Sequence, residues 1–355
     1  MKLKETLEEV KINIIKMEDK KNSANLIHFF NFDSENSSES KGSIEGIDKN
    51  LLKKIGILKQ DVPMGDFWND CHNFCNQRTD FLLEEADEWI EKEISIRNDE
   101  DMRLLQISGK ITSWLMNKMI DKIETIIDDS KQEKHSTLSK EVSNLVEGSM
   151  FKKFCADNKL DPESVEITNR PMIQSGGNYN FNLNNPDDDI LAANTIALWI
   201  SSSYMDLNTH CARTLLIDPD SETKKAYLIL VEVFNHLSSL MKPGTMLSEV
   251  FKKTDQYLKE KDWSYKAHLQ IPYGYGIGIK QYEKSITISE SSQIKLVPNM
   301  SFVIKLVLSD LTTPKMKSSL IISDTIFVGQ TKIEVLTTNP KNYNEISYKI
   351  GRAHV

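Results

Sequence analysis

The spacing of apolar residues changes partway along this chain. Over residues 104–128 they recur at helical intervals, with Ile107, Ile111, Leu115, Met119 and Ile123 on one stripe and Trp114 beside it. Residues 138–145 and 150–158 read as further helix pieces. Upstream, the short apolar runs at 26–32 and 54–58 read as strands, with the polar stretch 33–46 as a loop between them. Helical periodicity stops at 168–171, and 174–178 and 184–189 have loop compositions. Beyond them, 196–201 and 213–217 are short strand candidates. Asp218-Pro219-Asp220-Ser221 then supplies helix-start residues for a stripe through Tyr227, Leu230, Val231 and Phe234, and Lys242-Pro243-Gly244 stops that helix. Thr245 is placed to cap the next one, which carries Leu247, Val250, Phe251 and Leu258. The last stretch alternates as strands do, at 286–288, 302–308, 321–322 and 325–328. Helices paired with several strands predict an α+β fold in two lobes, a smaller mixed α/β lobe over 1–167 and a second over 168–349. Residues 350–355 look like one reading frame of a sequencing adapter and are expected to be a non-native tail.

Composition narrows the class. A chain of 355 residues with 39% hydrophobic content has material for about two domains. A formal net charge of -8 excludes a simple basic nucleic-acid binder. It suits basic partners such as histones, although acidic enzymes are commoner. Four cysteines in this length make no disulfide scaffold, which points to a reducing intracellular compartment. No apolar run reaches the ~20 residues that span a bilayer, and the N-terminus has no signal-peptide core. These features predict a cytosolic or nuclear protein with no membrane partner.

Two segments carry the candidate chemistry: His210-Cys211-Ala212-Arg213-Thr214, and Pro272-Tyr273-Gly274-Tyr275-Gly276-Ile277-Gly278. The glycine run superficially suggests a phosphate cradle, but such loops lead into a helix, and here residues 285–288 read as a strand. Close approach of neighbouring backbones is the better reading. Cys71-His72-x-x-Cys75 has no second Cys/His pair at structural-zinc spacing. His210 and Cys211, adjacent on a strand, point to opposite faces and cannot pair as base and nucleophile. Asp187-Asp188-Asp189 is an acidic loop, more simply a solvated turn than a site for a histone tail.

These segments resemble those of the pita-bread peptidases, the metal-dependent aminopeptidases and prolidases. In that family the two motifs read Asp-x-x-Arg-Thr and Gly-His-Gly-Ile-Gly. The resemblance implies a pita-bread fold for the second lobe and a dinuclear site of two Asp, one His and two Glu. Its ligand positions fall at Trp199, His210, Tyr275, Lys305 and Ser323. Creatinases share the fold and work without metal through the motif histidine, which is Tyr275 here. The expectation is therefore no catalysis, no metal and no cofactor, with these five residues as a degenerate peptide-binding pocket. An Xaa-Pro aminopeptidase-like hydrolase with an unorthodox site is the alternative.

A narrower resemblance runs from about residue 53 to 338. Pro171-Met172-Ile173-Gln174-Ser175-Gly176-Gly177-Asn178-Tyr179, Leu240-Met241-Lys242-Pro243-Gly244 and Leu308-Ser309-Asp310-Leu311 are similar to segments of the large subunit of FACT-type histone chaperones. That family has an aromatic in place of the motif histidine. The resemblance implies a nuclear, chromatin-associated module serving transcription, replication and repair. Its implied partners are histones, replication or transcription proteins, and the smaller FACT subunit through parts absent here. It also implies that Met1 is not the native start.

Overall fold

The computed structural model describes residues 53–57, 73, 81–85, 87–181, 187–313 and 317–349. The expectations for 26–32, 33–46, Cys71, His72, Cys75 and 350–355 lie outside those residues. The chain divides into two compact units between Trp89 and Ile90. In the first unit, β1 (Lys53–Ile57) pairs in parallel with β2 (Phe81–Glu85). Helix α1 (Asp87–Ile94) spans the division. This division differs from the expected lobe boundary at 167/168. The expected boundary falls inside β3 (Val165–Gln174), whose helical neighbours to the N-terminal side pack on the same sheet as the strands that follow.

Three helices precede β3: α2 (Asp99–Asp128), α3 (His135–Ser143) and α4 (Ser149–Asn158). Helix α2 starts five residues before its apolar stripe. Asn98 and Asp101 form a reciprocal capping box, so the acidic first turn is helical without being periodic. Its Leu105, Ile111, Leu115, Met116 and Met119 are wholly buried, each worth about 1.5–3 kcal/mol relative to exposure.

The second unit is built on one nine-stranded sheet, in the order β3, β4 (Thr195–Tyr204), β5 (Leu207–Ile217), β9 (Lys317–Val328), β8 (Ser301–Thr312), β6 (Gly274–Gly276), β7 (Glu283–Thr287). Two short strands complete it, β10 (Ile333–Val335) on β9 and β11 (Ser347–Tyr348) on β5. Helices α5 (Ser221–Leu240) and α6 (Leu247–Asp262) pack together, α5 lies on β8 and β9, and α2 lies on β4 and β5. Asp220 caps α5, accepting from the Thr223 amide at 2.8 Å. Helix α6 begins at Leu247, so Thr245 is not its cap. A short helix α7 (Tyr343–Ile346) precedes β11.

Strands β4 and β5 are longer than their apolar runs. They form a hairpin from Thr195↔Leu216 to Tyr204↔Leu207, turning at Met205 and Asp206, both at positive φ. Their polar halves are buried rather than looped out. Ser202 and Thr209 face α2, where Thr112 Oγ1 lies 2.5 Å from Ser202 Oγ and 2.7 Å from Thr209 Oγ1, and Ser108 Oγ lies 2.9 Å from Thr209 Oγ1. Hydroxyls satisfied inside the core look like loop composition to a hydropathy pattern.

Candidate functional site

The sheet's period of two assigns the two faces of its strands. On β5, Thr209, Cys211 and Arg213 project toward the helices and His210 projects to the other side. Cys211 Sγ reaches Asn339 at 3.4 Å, whereas His210 Nδ1 lies 2.8 Å from the Tyr275 hydroxyl. The predicted base and thiol are thus separated by the sheet itself.

The motif residues Arg213 and Thr214 do structural work. Arg213 is fully buried and donates to Asp324 Oδ1 at 2.6 Å, the Ser323 carbonyl at 2.8 Å and the Asn339 carbonyl at 2.6 Å. Strands β5 and β9 pair at only two positions, Cys211↔Asp324 and Ala212↔Ser323. On either side of that contact a threonine hydroxyl replaces the missing ladder. Thr214 Oγ1 donates to the Ile321 carbonyl at 2.9 Å and accepts from the Ile321 amide at 2.8 Å. Thr325 Oγ1 does the same with the carbonyl and amide of His210, both at 2.8 Å. The centre of the sheet therefore depends on side chains that the motif supplies.

The glycines flanking Tyr275 are steric necessities. Strand β6 is squeezed between β8 and β7, and a side chain at Gly274 would run into the Val303 carbonyl and Ile288. One at Gly276 would meet the Glu283 side chain and the Ile286 Cβ at 3.1 Å. A helix does not follow; β7 does, which fits close backbone packing and not a phosphate cradle.

The five predicted pocket residues lie on five successive strands of the sheet: Trp199 on β4, His210 on β5, Ser323 on β9, Lys305 on β8 and Tyr275 on β6. Lys305 pairs directly with Ser323 across β8 and β9. Trp199, His210, Tyr275 and Lys305 line one cavity of about 470 Å³. Ser323 does not line it; its hydroxyl is buried without a partner among the described residues. The Lys305 ammonium sits 4.4 Å from the Trp199 ring centroid, a cation–π contact worth roughly 0.5–2 kcal/mol. His210 meets Trp199 and Tyr275 edge-on, at 5.7 and 6.0 Å between centroids.

Burial sets the protonation states. It pushes His210 down to about 3, with the Lys305 charge adding to the effect, so this imidazole is neutral at pH 7. Burial also pushes Lys305 down to about 8 and raises the Tyr275 phenol far above its ordinary range. His210 Nε2, the ring nitrogen that does not face the Tyr275 hydroxyl, is buried and has no partner among the described residues.

The cavity wall includes residues that sequence reasoning missed: Asn169, Arg170, Met172, Gln270, Gln281 and Tyr282. Met172 sits directly opposite Trp199 in the β3–β4 register, and a register shift between Asn169 and Met172 lets the adjacent Asn169 and Arg170 both line the cavity. The alternation of Arg170 with Met172 was the available signal, but a bulge is invisible in a periodicity. The acidic run lies elsewhere. Asp187 Oδ1 is 2.5 Å from His135 Nδ1, while His135 Nε2 is 2.8 Å from Ser175 Oγ. Asp188 takes a hydrogen bond from Ser136. The run serves the start of α3 and is not a free acidic loop.

A largely antiparallel sheet whose neighbouring strands bring Trp199, His210, Lys305 and Tyr275 to one cavity has the layout of the pita-bread peptidases. The profile of metallopeptidase family M24 matches residues 103–330, and the chain belongs to that family. Within it, the sequence is 28% identical over 339 residues to the FACT complex subunit SPT16 of Dictyostelium discoideum, covering 91% of this chain and 31% of that protein. The chain thus spans just under a third of the curated relatives it matches. The N-terminal domain of the FACT complex subunit SPT16 from Cicer arietinum has the same fold, with a TM-score of 0.79 at 21% identity over 98% of this chain and 82% of that one. The X-Pro aminopeptidase from Thermotoga maritima matches at a TM-score of 0.63 and 15% identity, over 84% of this chain and 76% of that one.

Family membership implies a divalent metal site, and the donors here do not fit one. A hard dication takes carboxylates and imidazoles. At the five positions expected to correspond, this chain presents an indole, one imidazole, a phenol, a hydroxyl and an ammonium, and the ammonium repels a cation. Among the described residues no three His, Cys, Asp or Glu side chains gather as a metal-binding group. No helix among them is long and apolar enough to cross a membrane.

Proposed function

We propose that this chain is a non-catalytic, peptidase-like module of a FACT-type histone chaperone subunit, and that its cavity binds a peptide segment without cleaving it. The observation that carries this reading is that the five residues expected at the ligand positions lie on five neighbouring strands and offer no dinuclear ligand set. One lost ligand leaves a weakened enzyme; Trp199, His210, Tyr275, Lys305 and Ser323 together leave neither a metal-bound water nor a proton shuttle. The glycines, Arg213 and Thr214 remain because the sheet needs them. The exposed edges of the cavity, with amides at Asn169, Gln270 and Gln281 beside aromatic walls, suit an extended backbone. By this reading the chain works in the nucleus on chromatin. It contributes histone or other peptide contacts to nucleosome reorganisation in transcription, replication and repair. The smaller FACT subunit and replication or transcription proteins are the further expected partners, the former through regions beyond this chain.

Two measurements on the purified chain test this. Elemental analysis is expected to find well under one equivalent of zinc, manganese or cobalt after incubation and desalting. Xaa-Pro peptides are expected to survive prolonged incubation. Stoichiometric metal with hydrolysis that disappears in Tyr275→Ala or His210→Ala would overturn the proposal. Calorimetric titration with core histones and histone-tail peptides then asks which contacts the module makes.

A further inference from the structure

The charge inside the cavity is one-sided. Its charged lining residues are Arg170 and Lys305, and no described Asp or Glu lines it. Lys305 is half-buried and forms no ion pair among the described residues. Elsewhere among the described residues, the buried Arg97 and Arg213 are neutralised by Glu283 and Asp324, and the half-buried Lys341 by Asp324 at 2.8 Å. Lys305 instead has the ring of Trp199 against it. A half-buried cation facing an aromatic wall, with no described carboxylate beside it, is half of a charge-assisted contact. Beside it, His210 is neutral and its Nε2 is buried without a partner. The ammonium calls for an anionic acceptor. An incoming ammonium would instead meet like charge in a poorly screened site.

We infer that the cavity is a carboxylate-binding site, taking an acidic side chain or the free C-terminal carboxylate of a peptide, with Lys305 as the counter-charge. The inference rests on the reading of the cavity as binding rather than cleaving, and it sharpens that reading. The lysine-rich part of a histone tail is not the occupant here; any contact it makes lies outside the cavity. Apolar walls at Met172 and Val307 would hold the aliphatic stem of the ligand, while the carboxylate turns toward Lys305. The whole chain carries a net charge of -8, so an acidic ligand must bind against the overall field. Binding of such a ligand therefore reports a local site and not bulk attraction.

Calorimetry of the full chain with four short peptides tests this. They are a glutamate-rich peptide blocked at both ends, a neutral peptide with a free C-terminal carboxylate, the same neutral peptide amidated, and a lysine-rich peptide. At least one of the first two is expected to bind, and which one identifies the source of the carboxylate; the amidated and lysine-rich peptides are expected to give no heat above dilution. Lys305→Met should weaken the binding at least tenfold, and Lys305→Arg should restore it to within a few-fold. In the wild-type chain affinity should fall as pH rises above about 8, where Lys305 loses its proton. This last readout needs no variant. The inference is overturned if neither carboxylate peptide binds, or if binding is unchanged in Lys305→Met. A lysine-rich peptide that binds and is lost in Tyr275→Ala would overturn the inference while leaving a binding cavity. Hydrolysis of any peptide would instead remove the reading beneath it.

Discussion

Arg213 and His210 lie three residues apart on β5, on opposite faces of one sheet, and their surroundings differ in kind. Around Arg213 the polar groups are matched. The guanidinium meets Asp324 and three backbone carbonyls within 2.8 Å, and Asp324 also receives Thr337 at 2.9 Å and Lys341 at 2.8 Å. Around His210 they are not. Its Nε2 and the Ser323 hydroxyl are buried without partners among the described residues, and Lys305 has an aromatic face where a carboxylate would be expected. An unsatisfied buried polar group costs about 1–3 kcal/mol. One face of the sheet is thus a satisfied scaffold, and the other is the face on which the proposed binding chemistry rests.

The strongest challenge to this contrast is Arg213→Met. It removes one partner from a buried network and leaves Asp324 with only Lys341 as a counter-charge. Loss of about 3–5 kcal/mol is expected in urea unfolding, enough to unfold a marginal chain. A loss below about 1 kcal/mol would mean that the helix-covered face is not the scaffold. Acid titration probes the other face. The folded pKa of His210, about 3, lies below its unfolded value of 6.5. The unfolded state thus binds more protons between these values, and this group's contribution, complete above pH 6.5, drains away as pH falls toward 3. Replacing it by Phe should flatten the wild-type decline in melting temperature over that window. The smallest effect is expected at Ser323→Ala. It removes an unpartnered hydroxyl, so stability should hold or rise by up to about 1 kcal/mol. A clear loss would reveal a hydrogen bond that the contrast denies.

Legibility in the sequence followed the same division. The glycines around Tyr275 and the Arg213-Thr214 pair marked the fold because they answer to sterics and buried charge, which tolerate few residue types. Helix α2 was visible as a stripe, but its first turn was not, since a capping box is polar. The strand candidates at 196–201 and 213–217 stopped short of the full β4 and β5, because Ser202 and Thr209 spend their hydroxyls on α2 and carry no apolar signal. The acidic run at 187–189 was readable as composition only; its attachment to His135 and Ser136 required the fold.

The sequence by itself determined the class of sheet, residue types at five expected pocket positions that make no dinuclear ligand set, and the glycines that let β6 sit between its neighbours. These are properties of residue types at fixed spacing, and spacing survives without coordinates. Only the tertiary structure decided that Arg170 and Lys305 line one cavity with no Asp or Glu among its described lining residues, and that Ser323 stands apart from it. Those residues come from three strands, with Arg170 on β3 far from the other two in the chain. The sign of the charge in a cavity belongs to all the strands that wall it, and no single segment carries it.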